Sequence, residues 1–132
     1  MKKEDIDKYE KTQAQLEGLL EEISILAKKS PNDGVNKFKL KFINEILLAG
    51  NRILGKNYKP LDSFEQFNDE ELPSNSDVTF ILSQYLNCCE KLRADNIHSQ
   101  TIFVGNTATT QWYWKIDNDK SDIKTAPPKK IK

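Results

Sequence analysis

The chain has 132 residues with 20 basic and 20 acidic side chains, so its formal net charge at neutral pH is zero. This length allows one hydrophobic core and leaves little room for a second domain, and the charge balance excludes binding to nucleic acid or anionic membranes through excess positive charge alone. Only two of the basic residues are arginines, the residue best suited to bidentate phosphate and base contacts, so we expect no nucleic-acid partner.

No apolar run reaches the roughly 18 residues that a membrane-spanning helix needs, so we expect no membrane partner. The first residues lead into an amphipathic segment rather than an apolar signal region. The two cysteines, Cys88 and Cys89, are adjacent and cannot staple distant segments, which favours a reduced, cytoplasmic protein with inert, buried thiols. The high content of Lys, Asn and Ile is compatible with a bacterial or phage origin.

Three segments have the apolar periodicity of helices. Residues 3–29 carry a narrow apolar stripe that also suits coiled-coil pairing, and hence an oligomer. Residues 35–54 carry a wide apolar arc, which includes Phe38 and Phe42 and predicts a central helix packed on two sides. The short link between these helices favours an antiparallel helical hairpin. A third helix is predicted from Ser74, its N-cap, to about Asp95.

An acidic connection joins the second and third predicted helices. Residues 59–77 carry a net charge of −5, and the aromatic residues of this segment predict an ordered loop packed on the core. No glycine provides the sharp bend of a calcium loop, and no Cys or His lies near enough for a zinc site, so we expect no metal and no cofactor. The solvated acids are a candidate contact surface for a basic partner: Glu65, Asp69, Glu70 and Glu71.

The pattern changes after the third helix. Residues 101–104 and 111–116 are rich in β-branched and aromatic side chains, with Gly105 and Asn106 between them, which predicts a β-hairpin. Residues 117–132 contain two adjacent prolines and are predicted to be a flexible basic tail. The predicted fold is therefore mainly α: a three-helix domain with a C-terminal β-hairpin over residues 1–116.

Three consecutive aromatic residues, Trp112, Tyr113 and Trp114, lie in the second strand of this hairpin. In a strand the two tryptophans share one face and Tyr113 lies on the other. The favoured interpretation is that both tryptophans close the core. If the aromatic rings are exposed instead, they form a partner-binding hot spot, because large aromatics dominate such sites.

Arg93 is followed, after four residues, by His98 in a small helical protein. This spacing resembles the motif of the HEPN family of helical ribonucleases. The resemblance covers six residues, and it implies a metal-independent endoribonuclease in which Arg93 and His98 of two protomers converge on an RNA phosphate. Five residues of continuous helix would place the two side chains about 140° apart, so they meet only if the helix ends between them or a dimer joins two copies.

No convergent catalytic set of residues is evident in the sequence, whereas helical surface is abundant. The sequence therefore favours a non-catalytic interaction module: a small cytoplasmic subunit, adaptor or inhibitor that acts through helix faces and the aromatic hairpin. Its partner is another protein or a second copy of the chain. The alternative is the ribonuclease with a dimer-built site of Arg93 and His98.

Overall fold

The computed structural model describes residues 1–129 and consists of three helices followed by a three-stranded antiparallel sheet. The elements are α1 (Lys3–Lys29), α2 (Lys37–Tyr58), α3 (Asn75–Asp95), β1 (Ile97–Val104), β2 (Thr107–Ile116) and β3 (Asp119–Thr125). The three predicted helices and the C-terminal hairpin are confirmed, and the sheet has one strand more than predicted. None of the helices in this part of the chain is long and apolar enough to cross a membrane.

Local capping explains where the helices begin and end. The side chain of Asn36 accepts a hydrogen bond from the Lys39 N–H (2.8 Å), so α2 begins two residues later than predicted. Ser74 caps α3 as predicted, because its hydroxyl accepts from the Asp77 N–H (3.1 Å). Gly55 has φ 63°, which breaks the last turn of α2 near the predicted end of that helix.

Helix α1 runs antiparallel to both α2 and α3. At one end of the bundle, the N–H of Asn75 donates to the carbonyl of Asp33 (2.9 Å), which places the start of α3 beside the start of α2. At the other end, the Tyr58 hydroxyl donates to Asp95 Oδ2 (2.8 Å), which joins the ends of the same two helices. Residues 59–74 therefore cross back along the whole length of α2.

This crossover segment is ordered, as its aromatic content predicts. Asn44, a buried residue of α2, accepts from the Phe67 N–H (2.9 Å) and donates to the Phe67 carbonyl and to Asp69 Oδ1 (both 3.0 Å). About two turns further along α2, Asn51 donates to the carbonyl of Glu65 (2.8 Å). Two asparagines thus supply the backbone hydrogen bonds that a segment without regular structure cannot make within itself.

The hydrophobic core lies between the three helices and continues under the base of the sheet. Its largest fully buried apolar side chains come from every helix and from β2: Tyr9, Leu16, Ile23, Leu40, Ile43, Leu47, Leu82, Tyr85 and Trp114. Packing of α2 on two sides is confirmed only from Leu40 onward. The prediction is wrong for Phe38 and Phe42, whose rings contact each other at the exposed start of α2, because α1 and α3 do not cover that side of the helix.

Two tight turns connect the strands. Gly105 has φ 64° at the first position of the β1–β2 turn, and Asp117 and Asn118 have φ 50° and 69° in the β2–β3 turn. Positive φ values at these positions match the right-handed twist of the strands. The prediction of a flexible tail is wrong for residues 119–125, which pair with β2 as β3, and Lys129 Nζ donates to Glu17 Oε1 (2.9 Å). Residues 130–132 lie outside the described residues.

Asn44 provides a test of how the crossover segment is held. Replacing it with alanine removes three hydrogen bonds to residues 67–69, so we expect a loss of about 1–3 kcal/mol in the free energy of unfolding and faster exchange of the Phe67 amide. Urea unfolding and amide hydrogen exchange measure the two effects. Asn57→Ala, at an exposed position of the same helix, is the control and should change neither. Unchanged Phe67 exchange in Asn44→Ala would contradict this assignment.

Candidate functional site

Arg93 is a buried structural residue, with only 2% of its surface exposed. Its guanidinium forms ion pairs with Glu90 on α3 (3.0 Å) and with Glu10 on α1 (3.4 Å), and it lies over the rings of Tyr9 and Trp114 at 5.4 and 6.0 Å. A buried charge needs this kind of compensation, because the protein interior does not replace the water it loses. The two carboxylates and two rings therefore hold Arg93 at the junction of α1, α3 and the sheet.

Glu10 connects this junction to strands β2 and β3 of the sheet. Its Oε1 atom accepts from the Trp114 indole N–H on β2 (2.9 Å) and from the Thr125 hydroxyl on β3 (3.1 Å). Gln13, one turn along α1, is also buried and contacts both Glu90 and Arg93 at 3.3–3.4 Å. One carboxylate thus connects the first helix to two strands more than 100 residues away in sequence.

Arg93 and His98 do not converge within one chain. Helix α3 ends at Asp95, and Ile97 pairs with Trp114 on the sheet face that covers the core and Arg93. His98 lies on the opposite face, because successive strand residues alternate, and its ring stacks on Tyr113 at 5.5 Å. A second copy would have to reach a guanidinium that is almost wholly buried.

The three aromatic residues of β2 have three different environments. Trp114 is 0% exposed and is packed edge-on against Tyr9, so the prediction that it closes the core is correct and it provides no partner-binding surface. Trp112 is only half-buried against the core. Tyr113, on the opposite face, is half-buried beneath His98. The predicted aromatic hot spot is therefore reduced to the exposed parts of Trp112 and Tyr113.

The acidic residues of the crossover segment remain on the surface. Glu65 pairs with Lys59 and accepts from Asn51, and Asp69 accepts from Asn44, so these two carboxylates have partners within the chain. Glu70 and Glu71 are exposed on a segment that Asn44 keeps ordered. Among residues 1–129, no three His, Cys, Asp or Glu side chains lie close enough to hold a metal ion.

The two cysteines are adjacent on α3, and Cys89 lies where this helix packs on α1. Cys89 is fully buried, and its carbonyl accepts the Tyr9 hydroxyl at 2.5 Å. Burial raises the pKa of the Cys89 thiol to about 12, and burial also raises the pKa of Cys88. Nucleophilic chemistry depends on the thiolate, so these shifts oppose it at neutral pH.

The outer half of the β1–β2 hairpin is the most exposed element that the structure describes. We name residues 99–110 the hairpin arm; every residue in it except Ile102 is exposed, and Phe103 and Val104 near its tip are 72% and 69% exposed. The prediction of the hairpin did not identify this arm as a surface. One signal was present: residues 96–114 form the longest run without Asp, Glu, Lys or Arg in a chain that is 30% charged.

Arg93 provides a test of the buried junction. Replacing it with methionine leaves Glu90 buried without a counter-charge, so we expect the free energy of unfolding to fall by about 3–5 kcal/mol. The double variant Arg93→Met/Glu90→Gln should regain part of this loss, because the unpaired charge is gone. Urea unfolding measures each value, and exposed Arg52→Met is the matched control. A change of less than about 0.5 kcal/mol in Arg93→Met, typical of surface positions, would contradict the structural role.

The buried Cys89 thiol and the Tyr85 hydroxyl predict a loss of stability at alkaline pH. Burial raises the pKa of Cys89 from 9.0, and that of Tyr85 from 10.0, to about 12 in each case. The unfolded chain therefore releases these protons first, so the contribution of the two groups to the free energy of unfolding is constant below about pH 9 and falls as the pH rises towards 12. Urea unfolding at a series of pH values measures this. Cys89→Ala should reduce the fall between about pH 9 and 12, and a wild type whose free energy of unfolding does not change over this range would disprove the prediction.

Comparison of the chain with protein-family models, with curated proteins and with solved structures finds no match in any of the three. A function for this chain therefore rests on the geometry of its own residues.

Proposed function

We propose that the chain is a non-catalytic protein–protein interaction module whose main contact element is the hairpin arm. The observation that carries the proposal is the combination of exposure and composition in residues 99–110. Large apolar side chains project into solvent from a segment that has no charge to keep it solvated. An exposed, uncharged β-ribbon is a template for pairing with another chain, which natural sheets ordinarily prevent with charged or proline residues at their edges.

The base of the arm is rigid, which favours binding without a large ordering cost. Trp114 and Ile97 anchor the two strands in the core, and Glu10 holds the Trp114 indole N–H. On the other face, His98 stacks on Tyr113, and its Nε2 lies 3.3 Å from the Ser121 carbonyl. A preorganised element loses less conformational entropy when it binds than a mobile loop does.

The acidic crossover segment offers a second, polar contact surface. Glu70 and Glu71 are exposed on a backbone held by Asn44, and their charge suits a basic partner. Charged rims of this kind raise association rates and select partners more than they add affinity. We therefore assign the arm the main role and the acidic segment a steering role.

The ribonuclease alternative stays a prediction. The burial of Arg93 and the position of His98 on the opposite face of the sheet provide no observation that favours it. The buried ion pairs of Arg93 with Glu90 and Glu10 already explain why an arginine occupies this position, so an RNA substrate is not needed to explain it.

A photo-crosslinking amino acid at Phe103 tests the proposed function in cells of the native source. We expect a discrete adduct from position 103 with another protein or with a second copy of the chain, because this side chain is 72% exposed at the tip of the arm. Phe38, also a phenylalanine and 73% exposed, is the matched control position and should give no such adduct. Mass spectrometry identifies the adducts.

Competition makes this experiment specific. Excess unlabelled chain should suppress the adduct, whereas excess chain with residues 101–110 replaced by a two-residue turn, which joins the paired residues Gln100 and Gln111, should not. Equal adducts from positions 38 and 103, or suppression by the shortened chain, would overturn the assignment of the arm.

A further inference from the structure

The outer edge of β1 is unpaired along its whole length. The strand order is β1-β2-β3, so β1 is an edge strand, and no strand other than β2 pairs with it in the described part of the chain. It spans eight residues, Ile97–Val104, whereas the free edge of β2 is shorter because β3 pairs with that strand as far as Trp112. Pro127 and Pro128 follow β3 and cannot donate to an extension of it along β2.

The hydrogen-bond alternation identifies which groups of β1 are free. The Lys115 N–H donates to the Asn96 carbonyl (2.7 Å), and the register places residue 96 opposite residue 115. Hydrogen-bonded pairs alternate in an antiparallel ladder, so the even-numbered residues of β1 bond to β2. The N–H and C=O groups of the odd-numbered residues therefore point away from β2. Three of these residues, Ser99, Thr101 and Phe103, lie in the hairpin arm, and the fourth, Ile97, lies at the buried base of the strand.

We propose that a second copy of this chain pairs with this edge, antiparallel and across a two-fold axis at Thr101. This arrangement joins the three outward-facing residues of the hairpin arm into hydrogen-bonded pairs: Thr101 with Thr101 of the second copy, and Ser99 with Phe103 of the second copy in both directions. Each pair exchanges two hydrogen bonds. The result is one six-stranded sheet with both helical bodies on the same side. The inference rests on the proposed function, since it names the partner of the hairpin arm.

The sequence of β1 is suited to pairing with itself. Antiparallel pairing across a two-fold axis opposes identical or nearby residues, so a charge near the axis would face its own copy and repel it. Residues 96–114 contain no such charge. Two threonines directly opposite each other are a favourable cross-strand pair.

The same arrangement covers the ring of Phe103, the one aromatic residue of the hairpin arm. Ser99 lies opposite Trp112 in the β1–β2 register, so Phe103 of the second copy, Ser99 and Trp112 form one row on the core-facing side of the extended sheet. The small Ser99 side chain leaves room for the two aromatic rings above it. Phe103, which is 72% exposed in the single chain, thus gains a half-buried aromatic neighbour.

Proline substitutions on the two edges of the arm test the proposal. Thr101→Pro removes the outward N–H at the axis without removing a bond to β2. Thr110→Pro is the matched control, because Thr110 lies directly opposite Thr101 in the register and its N–H points outward from β2. Light scattering after size exclusion should give twice 15.2 kDa for the wild type and Thr110→Pro, and 15.2 kDa for Thr101→Pro.

Lysine substitutions keep the test decisive if proline impairs folding, which far-ultraviolet circular dichroism would reveal. Thr101→Lys places two like charges opposite each other at the axis and should give the mass of one chain, whereas Thr110→Lys should remain a dimer. A wild type with the mass of one chain at every concentration, or equal dimerisation of the Thr101 and Thr110 variants, would overturn the proposal.

The combined results distinguish a failure of the β1 pairing from a failure of the interaction module. A purified chain that is a strict monomer, while position 103 still forms adducts with other proteins, removes the second copy as partner and retains the interaction module. A strict monomer that forms no adduct at position 103 removes the interaction module together with the β1 pairing.

Discussion

The buried charge of Arg93 is the constraint on which the arrangement of helices and sheet depends. A guanidinium that is 2% exposed requires carboxylates at fixed positions, and here Glu90 and Glu10 supply them from two different helices. Glu10 also accepts from Trp114 and Thr125, so the charge that compensates Arg93 also positions the sheet. One ion pair network therefore joins α1, α3, β2 and β3.

This anchoring explains how a small sheet supports a projecting arm. A two-stranded hairpin alone is marginally stable in water, and stability requires a third strand or packing against a helix. Here β3 and the buried Trp114 hold the base, and the outer residues 99–110 extend into solvent. The core thus keeps one edge of the sheet rigid and unpaired, which is the property that the proposed pairing with a second copy uses.

Prediction from sequence succeeded where interactions between residues close in sequence determine the structure. The apolar stripe of residues 3–29, the Ser74 cap and the aromatic content of the crossover segment are local signals, and the structure confirms all three. Strand β3 gave no such signal, because its sequence is highly charged and becomes a strand only by pairing with β2. The candidate site was less predictable: the spacing of Arg93 and His98 says nothing about which is buried and which faces outward.

The amino-acid sequence by itself determined the three helices, the hairpin and the uncharged character of residues 96–114, because periodicity, capping and composition act over a few residues. Only the tertiary structure decided that Arg93 lies in the core, that Phe38 in the first turn of α2 is exposed, and that the outer edge of β1 is free. These properties depend on contacts between residues far apart in sequence. Residues 99–110 of this run would be an ordinary buried hairpin if another element covered them, and they are exposed because none of the described elements does.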